Sequence, residues 1–259
     1  MVVLKKSPYR EFDRQYVMYG RIHGLLLAAA RGAVKPKAKQ ASQLEPLSLA
    51  DVMIAKGRNF DHLAVAVRSQ PNLRLEKLGA LAVAGAFADL CLKLIRPGVA
   101  DERLFNLWRE LIVCLADLPQ EPTALRAQLV FAAASLKLMD ALGYGPALSA
   151  KCGVCRRPLG PTDVWYAPNL NGLVCLDCIQ DFQEIAIMAK AQAIILLKFM
   201  RASTLSDVLR VGLTTDIAQN ALQLTQEVWQ HAPLDREPHG LETIACILQT
   251  VIPAQAGIQ

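Results

Sequence analysis

Four cysteines carry the clearest chemistry in the chain. Lys151 to Cys178 reads KCGVCRRPLGPTDVWYAPNLNGLVCLDC, and within it Cys152 with Cys155, then Cys175 with Cys178, form two Cys-x-x-Cys pairs. The intervening Arg156–Val174 loop is long enough for both pairs to converge. Four thiolates in one tetrahedron are the ligand set of a closed structural Zn²⁺ site. A redox Cys-x-x-Cys motif is the competing reading, but such a motif opens a helix in a βαβ setting and needs no second pair. A catalytic zinc needs an open coordination position. Four thiolates leave none, and the stretch holds no histidine. The expectation is one structural Zn²⁺ held by Cys152, Cys155, Cys175 and Cys178.

The second chemical feature is a concentration of cations near the N-terminus. Net charge is +5, yet residues 1–75 hold 13 Lys/Arg against 5 Asp/Glu, and the remainder is net acidic. Such asymmetry points toward nucleic acid. Arg31, Lys35, Lys37 and Lys39 fall in one short stretch. On an extended segment Lys35, Lys37 and Lys39 share one side and can line a rail for phosphates. Arg10, Arg14 and Arg21 extend the candidate DNA-binding set, and Tyr9, Tyr16 or Tyr19 can supply base stacking. The competing reading is a solvated basic loop, with the tyrosines packed in a core. Arg156 and Arg157 beside the first cysteine pair read as phosphate contacts or as an exposed turn. Cys91, Cys114 and Cys246 sit in apolar helical patterns and read as small hydrophobes.

These groups need elements to hold them. Before Pro71-Asn72 the chain reads as short strands around Val2–Leu4, Tyr16–Tyr19, Leu25–Ala30, Leu47–Ile54 and Leu63–Val67, punctuated by glycine and proline. Five short strands with a basic surface suit a small barrel, and the OB-fold is the best-known five-stranded candidate. After Asn72, a candidate cap, the pattern turns helical. Helices are expected to about Ile95, from an Asp101 cap to before Pro119, from Thr123 to about Leu142, over Ile179–Met200, and in shorter pieces at Ser206–Arg210, Thr215–His231 and Leu241–Val251. The fold class is α+β: a basic OB-fold over 1–72, a helical domain over 73–252 with the zinc motif inserted at 151–179, and a frayed tail over 253–259.

Composition and motifs narrow the function. No uncharged apolar run reaches the about 18 residues of a membrane helix, and the first residues lack the order of a signal peptide. With cysteines at zinc spacing, this points to the reducing cytoplasm. Gly-x-x-x-x-Gly-Lys-Ser/Thr, Gly-x-Ser-x-Gly and His-Glu-x-x-His are all absent, so the expectation is not an enzyme. A zinc-ribbon transcription or RNA-binding factor is the alternative, and a DNA-processing enzyme a more distant one.

Several passages, in order, resemble the RecO family of bacterial DNA repair and recombination-mediator proteins. Val3 to Asp13 (VLKKSPYREFD) resembles the family's first strand and turn. His23-Gly24 and Ala28–Ala33 with the basic stretch behind them resemble its third strand and loop. Leu44-Glu45-Pro46-Leu47 resembles the start of its fourth strand. Leu142-Gly143-Tyr144-Gly145-Pro146 ahead of Cys152 and Cys155 is the most recognisable passage. The resemblance implies binding of single- and double-stranded DNA and annealing of complementary strands. It implies work with RecR and single-stranded DNA-binding protein to load RecA on gapped DNA, in the cytoplasm and close to the nucleoid. One departure stands out: where the family has an aromatic-Glu pair, this chain carries Ala134-Ser135. The apolar helical pattern Leu78–Leu142 offers a possible groove for a partner peptide, with Arg103, Arg109 or Arg126 to meet acidic groups.

Overall fold

A computed structural model describes residues 1–35, 38, 43–58, 60–70, 75–118, 124–182 and 185–230. The chain forms two compact units, Met1–Glu121 and Pro122–Gln259. Among the described residues no helix is long and apolar enough to cross a membrane.

The first unit is built on five strands: β1 (Val2–Tyr9), β2 (Asp13–Gly20), β3 (Gly24–Ala30), β4 (Ala50–Ala55) and β5 (Asp61–Arg68). They form one sheet in the order β1-β2-β3-β5-β4. β1, β2 and β3 make an antiparallel meander, and β5 returns parallel to β3 with Ala28 opposite Asp61. The ladder is not closed. β4 and β1 meet only near one end, where Val2 bridges Leu49 and the N–H groups of Val3 and Ala50 donate to the carbonyls of Ser48 and Met1 at 3.1 and 2.9 Å. This is the partly open five-stranded arrangement of the OB-fold, so the expected barrel is a loose one. Its interior holds Val3, Tyr16, Met18, Ala28, Ala30, Leu44, Leu63 and Ala66. Tyr16 lies beside Ala28 across the ladder, a large–small pairing that fits a ring into a narrow interior.

Two helices complete this unit: α1 (Leu78–Leu94) and α2 (Glu102–Ala116). The expected boundary at Pro71-Asn72 lies outside the described residues. Asp101 caps α2 as expected, its carboxylate accepting the Arg103 N–H at 2.8 Å, an interaction worth about 1 kcal/mol. Leu104, Leu107, Trp108, Leu111 and Leu115, spaced for one face of a helix, are all buried. The turn between the helices closes on the β2–β3 hairpin. Gly98 N–H donates to the Leu25 carbonyl at 2.9 Å, and a Cβ on Gly24, whose φ is +63°, would lie 2.2 Å from the Val99 carbonyl oxygen. Only glycine fits there.

The second unit centres on α3 (Ala124–Leu142). Residues on every side of it are buried, from Ala127 through Leu129, Val130, Ala133, Leu136 and Met139. A helix apolar all round belongs inside a bundle, and α4 (Ala191–Ala202), α5 (Leu205–Arg210) and α6 (Thr215–Gln230) pack on it. Ala134 and Ser135 are fully buried in α3 and present no surface; the Ser135 hydroxyl donates to the Ala132 carbonyl at 2.8 Å. Thr123, His231, Cys246 and the patterns expected at Leu241–Val251 and 253–259 lie outside the described residues.

The continuous helix expected over Ile179–Met200 does not form. The chain makes a short 3₁₀ segment at Ile179–Phe182, then β8 (Ile187–Ala189), and becomes α-helical only at Ala191. β8 pairs with β6 (Val164–Ala167), which also pairs with β7 (Gly172–Val174), giving a small sheet in the order β7-β6-β8. Helical spacing alone cannot reveal that an available strand edge is waiting for this segment. The start of α4 is fixed from outside, with the N–H groups of Lys190 and Ala191 donating to Asn220 Oδ1 and Asp163 Oδ1 at 2.9 and 3.0 Å.

Candidate metal centre and basic surface

The two cysteine pairs flank the small sheet. Lys151 bridges Pro158, which folds the first pair into a knuckle, and Cys152 N–H donates to the Arg157 carbonyl at 2.9 Å. Gly153 N–H donates to Leu173 in β7 at 2.8 Å, so the first knuckle is sewn to the strand that delivers the second. The second follows β7 directly, with Cys178 N–H donating to the Cys175 carbonyl at 3.1 Å. Ala167, Val174, Ile179 and Cys152 are buried together beneath the site.

All four sulfurs lie within 4.8 Å of one another, and the Cys155 and Cys175 sulfurs are 3.7 Å apart. A tetrahedron with Zn–S distances of about 2.3 Å has edges of about 3.8 Å, so the spacing fits Zn²⁺. The backbone favours thiolate as well. Burial opposes ionisation of Cys152, but N–H groups of Cys175, Cys155 and Val154 directed at its sulfur outweigh it and bring the thiol down to about 6. Cys178 moves the other way, to about 12, chiefly through hydrogen bonding with Cys175 and secondarily through desolvation. Thiols this close cannot all ionise alone. A divalent cation removes that conflict. Neither pair opens an α-helix, as a redox Cys-x-x-Cys motif does. Arg157 donates to Asp177 at 2.9 Å across the two knuckles, both side chains exposed, while Arg156 sits exposed in a left-handed turn with φ of 63°.

The basic residues distribute unevenly. Arg10 lies in the β1–β2 turn, Arg14 half-buried early in β2, and Arg31 and Lys35 just after β3. Arg14 pairs with Ala30 across the ladder, so all four occupy the same end of the sheet. Two bonds clip the segment after β3 onto the β1–β2 turn: Gly32 N–H to Asp13 Oδ1 at 2.8 Å and Val34 N–H to the Phe12 carbonyl at 3.1 Å. Arg31 to Lys35 runs as turns rather than extended chain, and Lys37 and Lys39 lie outside the described residues. The β4–β5 turn adds exposed Lys56 and Arg58 at this end, beside His62, whose Nε2 is 3.3 Å from Arg31 Nη2. Arg21 is separate. It lies in the β2–β3 turn, seven ladder positions from Arg14, roughly 23 Å along the strand. There it borders a cleft of about 420 Å³ with Asp51, Phe105 and Arg109.

Two of the three candidate stacking tyrosines are structural. Tyr16 and Tyr19 are fully buried. The Tyr19 hydroxyl donates to the Asp101 carbonyl and accepts the Asp101 N–H, at 3.2 and 3.0 Å. Alternation in β2 turns Tyr16 into the interior with Met18 and sends Tyr19 to the opposite face, where it is buried against Asp101. Tyr9 is half-buried at the basic end, and two exposed phenylalanines join it, Phe12 and Phe60. Reading only tyrosines missed both; their place in turns, outside any apolar strand pattern, was the available signal. Arg126 is also structural, donating to the Leu209 and Val211 carbonyls at the end of α5. Arg103 folds back on Asp101 at 2.8 Å. Cys91 is fully buried, and burial pushes its thiol up.

The Leu142–Pro146 passage has a physical reason. Gly143 ends α3 with φ of +84°, a left-handed helix stop. A Cβ on Gly145 would lie 1.8 Å from Asp140 Oδ1. Asp140 accepts two bonds from Arg201 at 2.6 and 2.7 Å, and the same guanidinium donates to the Pro146 carbonyl at 2.8 Å. Asn171, from the cysteine sheet, donates to the carbonyls of Tyr144 and Gly145. The passage thus joins α3 to the knuckle.

Fold and site define an OB-type sheet with a basic end, followed by a helical unit braced by a four-cysteine centre. The family patterns described as "Recombination protein O N terminal" and "Recombination protein O C terminal" match residues 1–70 and 75–232. The chain belongs to the RecO family, whose members are DNA repair and recombination proteins. It is similar to the DNA repair protein RecO of Clostridium perfringens, 27% identical over 95% of this chain and 96% of that one. It is also similar to the RecO proteins of Rubrobacter xylanophilus, 31% identical over 70% of each chain, and Desulforudis audaxviator, 28% identical over 68% of each.

Proposed function

We propose that this protein is a non-enzymatic recombination mediator that binds single- and double-stranded DNA through the basic end of its sheet and anneals complementary strands. The observation that carries this reading is the gathering of Arg10, Arg14, Arg31 and Lys35, from two separate turns and β2, at one end of an OB-type sheet, with Lys56 and Arg58 beside them. Loops at that end are where OB-folds take up oligonucleotides. Annealing needs no covalent chemistry. It needs the charge of two repelling strands neutralised while their bases stay free to pair, and the cations meet the first need. One Zn²⁺ on Cys152, Cys155, Cys175 and Cys178 serves structure: it locks two knuckles to β7 and the α3 terminus.

On this reading the protein works with RecR and single-stranded DNA-binding protein to load RecA on gapped DNA, in the cytoplasm near the nucleoid. Family membership supports that assignment. The test is a strand-annealing assay across salt, with and without single-stranded DNA-binding protein coating the strands. Annealing that weakens steeply with salt is expected. No annealing at any salt overturns the reading, and tighter binding to RNA than to either DNA form favours an RNA-binding factor instead.

A further inference from the structure

Rings and cations at the basic end occur in pairs. Lys35 Nζ lies 5.5 Å from the centroid of the Phe12 ring, and Arg10 Cζ lies 5.2 Å from that of Tyr9. Tyr9 meets Phe60 of the β4–β5 turn with centroids 5.9 Å apart and planes tilted by 59°. The end of β1 and the β4–β5 turn, distant in sequence, therefore meet through one aromatic pair. Phe12 and Phe60 are nevertheless 48% and 46% exposed, whereas Phe87 of the same unit is fully buried. A phenylalanine ring has no polar tip to place in water, and one exposed alone would be unremarkable. Two exposed at the same end of one sheet, beside cations, match what an unpaired nucleotide presents: phosphate for the cation, base face for the ring.

We infer that Phe12 and Phe60, on two turns at the same end of the sheet, form a base-stacking platform that makes the basic end selective for unpaired DNA. The inference rests on the DNA-binding reading above. Duplex bases are already stacked within the helix and cannot reach the rings, so a duplex binds here by its backbone charge alone. A single strand gains the stacking contacts in addition. Because the rings sit on two turns, one strand crosses from the β1–β2 turn to the β4–β5 turn to use both.

The test uses the full chain with a fluorescein-labelled oligothymidylate and a labelled duplex of the same length, by anisotropy over a salt series. Phe12→Ala with Phe60→Ala is expected to weaken single-strand binding by about tenfold per ring. Duplex affinity should stay within about twofold, and the salt slope should hold because no phosphate contact is removed. Phe12→Tyr with Phe60→Tyr, which keeps both faces, should bind single strands as the parent does. Arg31→Glu with Lys35→Glu should weaken both DNA forms. If the alanine pair binds single strands as tightly as the parent, or loses both forms equally, the platform is overturned while the DNA reading stands. A parent chain that binds neither form overturns both.

Discussion

At the cysteine centre, four sulfurs within 4.8 Å are delivered by two knuckles sewn to one strand, over a buried floor of Ala167, Val174 and Ile179. At the basic end of the sheet, Arg10, Arg31 and Lys35 stand exposed on two turns, held only by contacts at the surface: Arg31 beside His62, Arg10 and Lys35 against the rings of Tyr9 and Phe12. The first arrangement suits a ligand that stays, because metal coordination requires fixed donors and excludes water. The second suits a polymer that must bind and leave, because long exposed cations follow phosphates without fixing them. On the proposed reading, the rigid site braces the molecule and the loose one contacts DNA.

The sharpest way to break this comparison is to remove one metal ligand. Cys152→Ser should abolish stoichiometric zinc, measured by plasma mass spectrometry, and cost on the order of 5 kcal/mol of unfolding free energy in urea. Unchanged zinc and stability would refute the structural assignment.

Next comes the triple change Arg10→Glu, Arg31→Glu and Lys35→Glu. It should lower duplex affinity about 100-fold near 0.1 M salt and reduce the log–log salt slope by about 3. Arg21→Glu, at the far end of β2, should alter affinity less than about twofold. Equal effects from the two would remove the distinction between the ends.

Smaller, and confined to the braced unit, is Gly145→Ala. The new Cβ forces Asp140 away from Arg201, and we expect a loss of about 2–3 kcal/mol with DNA affinity unchanged. The least is Tyr19→Phe, which leaves the Asp101 backbone groups without the hydroxyl. A cost of about 1–2 kcal/mol by denaturant titration is expected, again with unchanged single-strand binding. A drop in that binding would return Tyr19 to the contact surface.

How much was legible follows from the range of each interaction. Cys-x-x-Cys spacing is local, so the cluster at Cys152, Cys155, Cys175 and Cys178 could be read directly, as could the Asp101 cap and the buried face of α2. The strands were legible as short runs punctuated by glycine and proline, although β1 runs on to Tyr9, well past its first apolar residues. The β6–β8 sheet was not legible. Its strands are short, and β8 is strand only because β6 offers a partner.

By itself the sequence determined the α+β order, the basic first unit and the four-cysteine cluster, because each depends on residue type and near spacing. Tertiary structure decided the rest. It buried Tyr16 in the sheet interior and Tyr19 against Asp101, placed Arg21 away from Arg10 and Arg31, and brought Tyr9 against Phe60. Those outcomes depend on ladder register and on which turns meet at one end of a sheet, and no local pattern encodes a contact made between β1 and the β4–β5 turn.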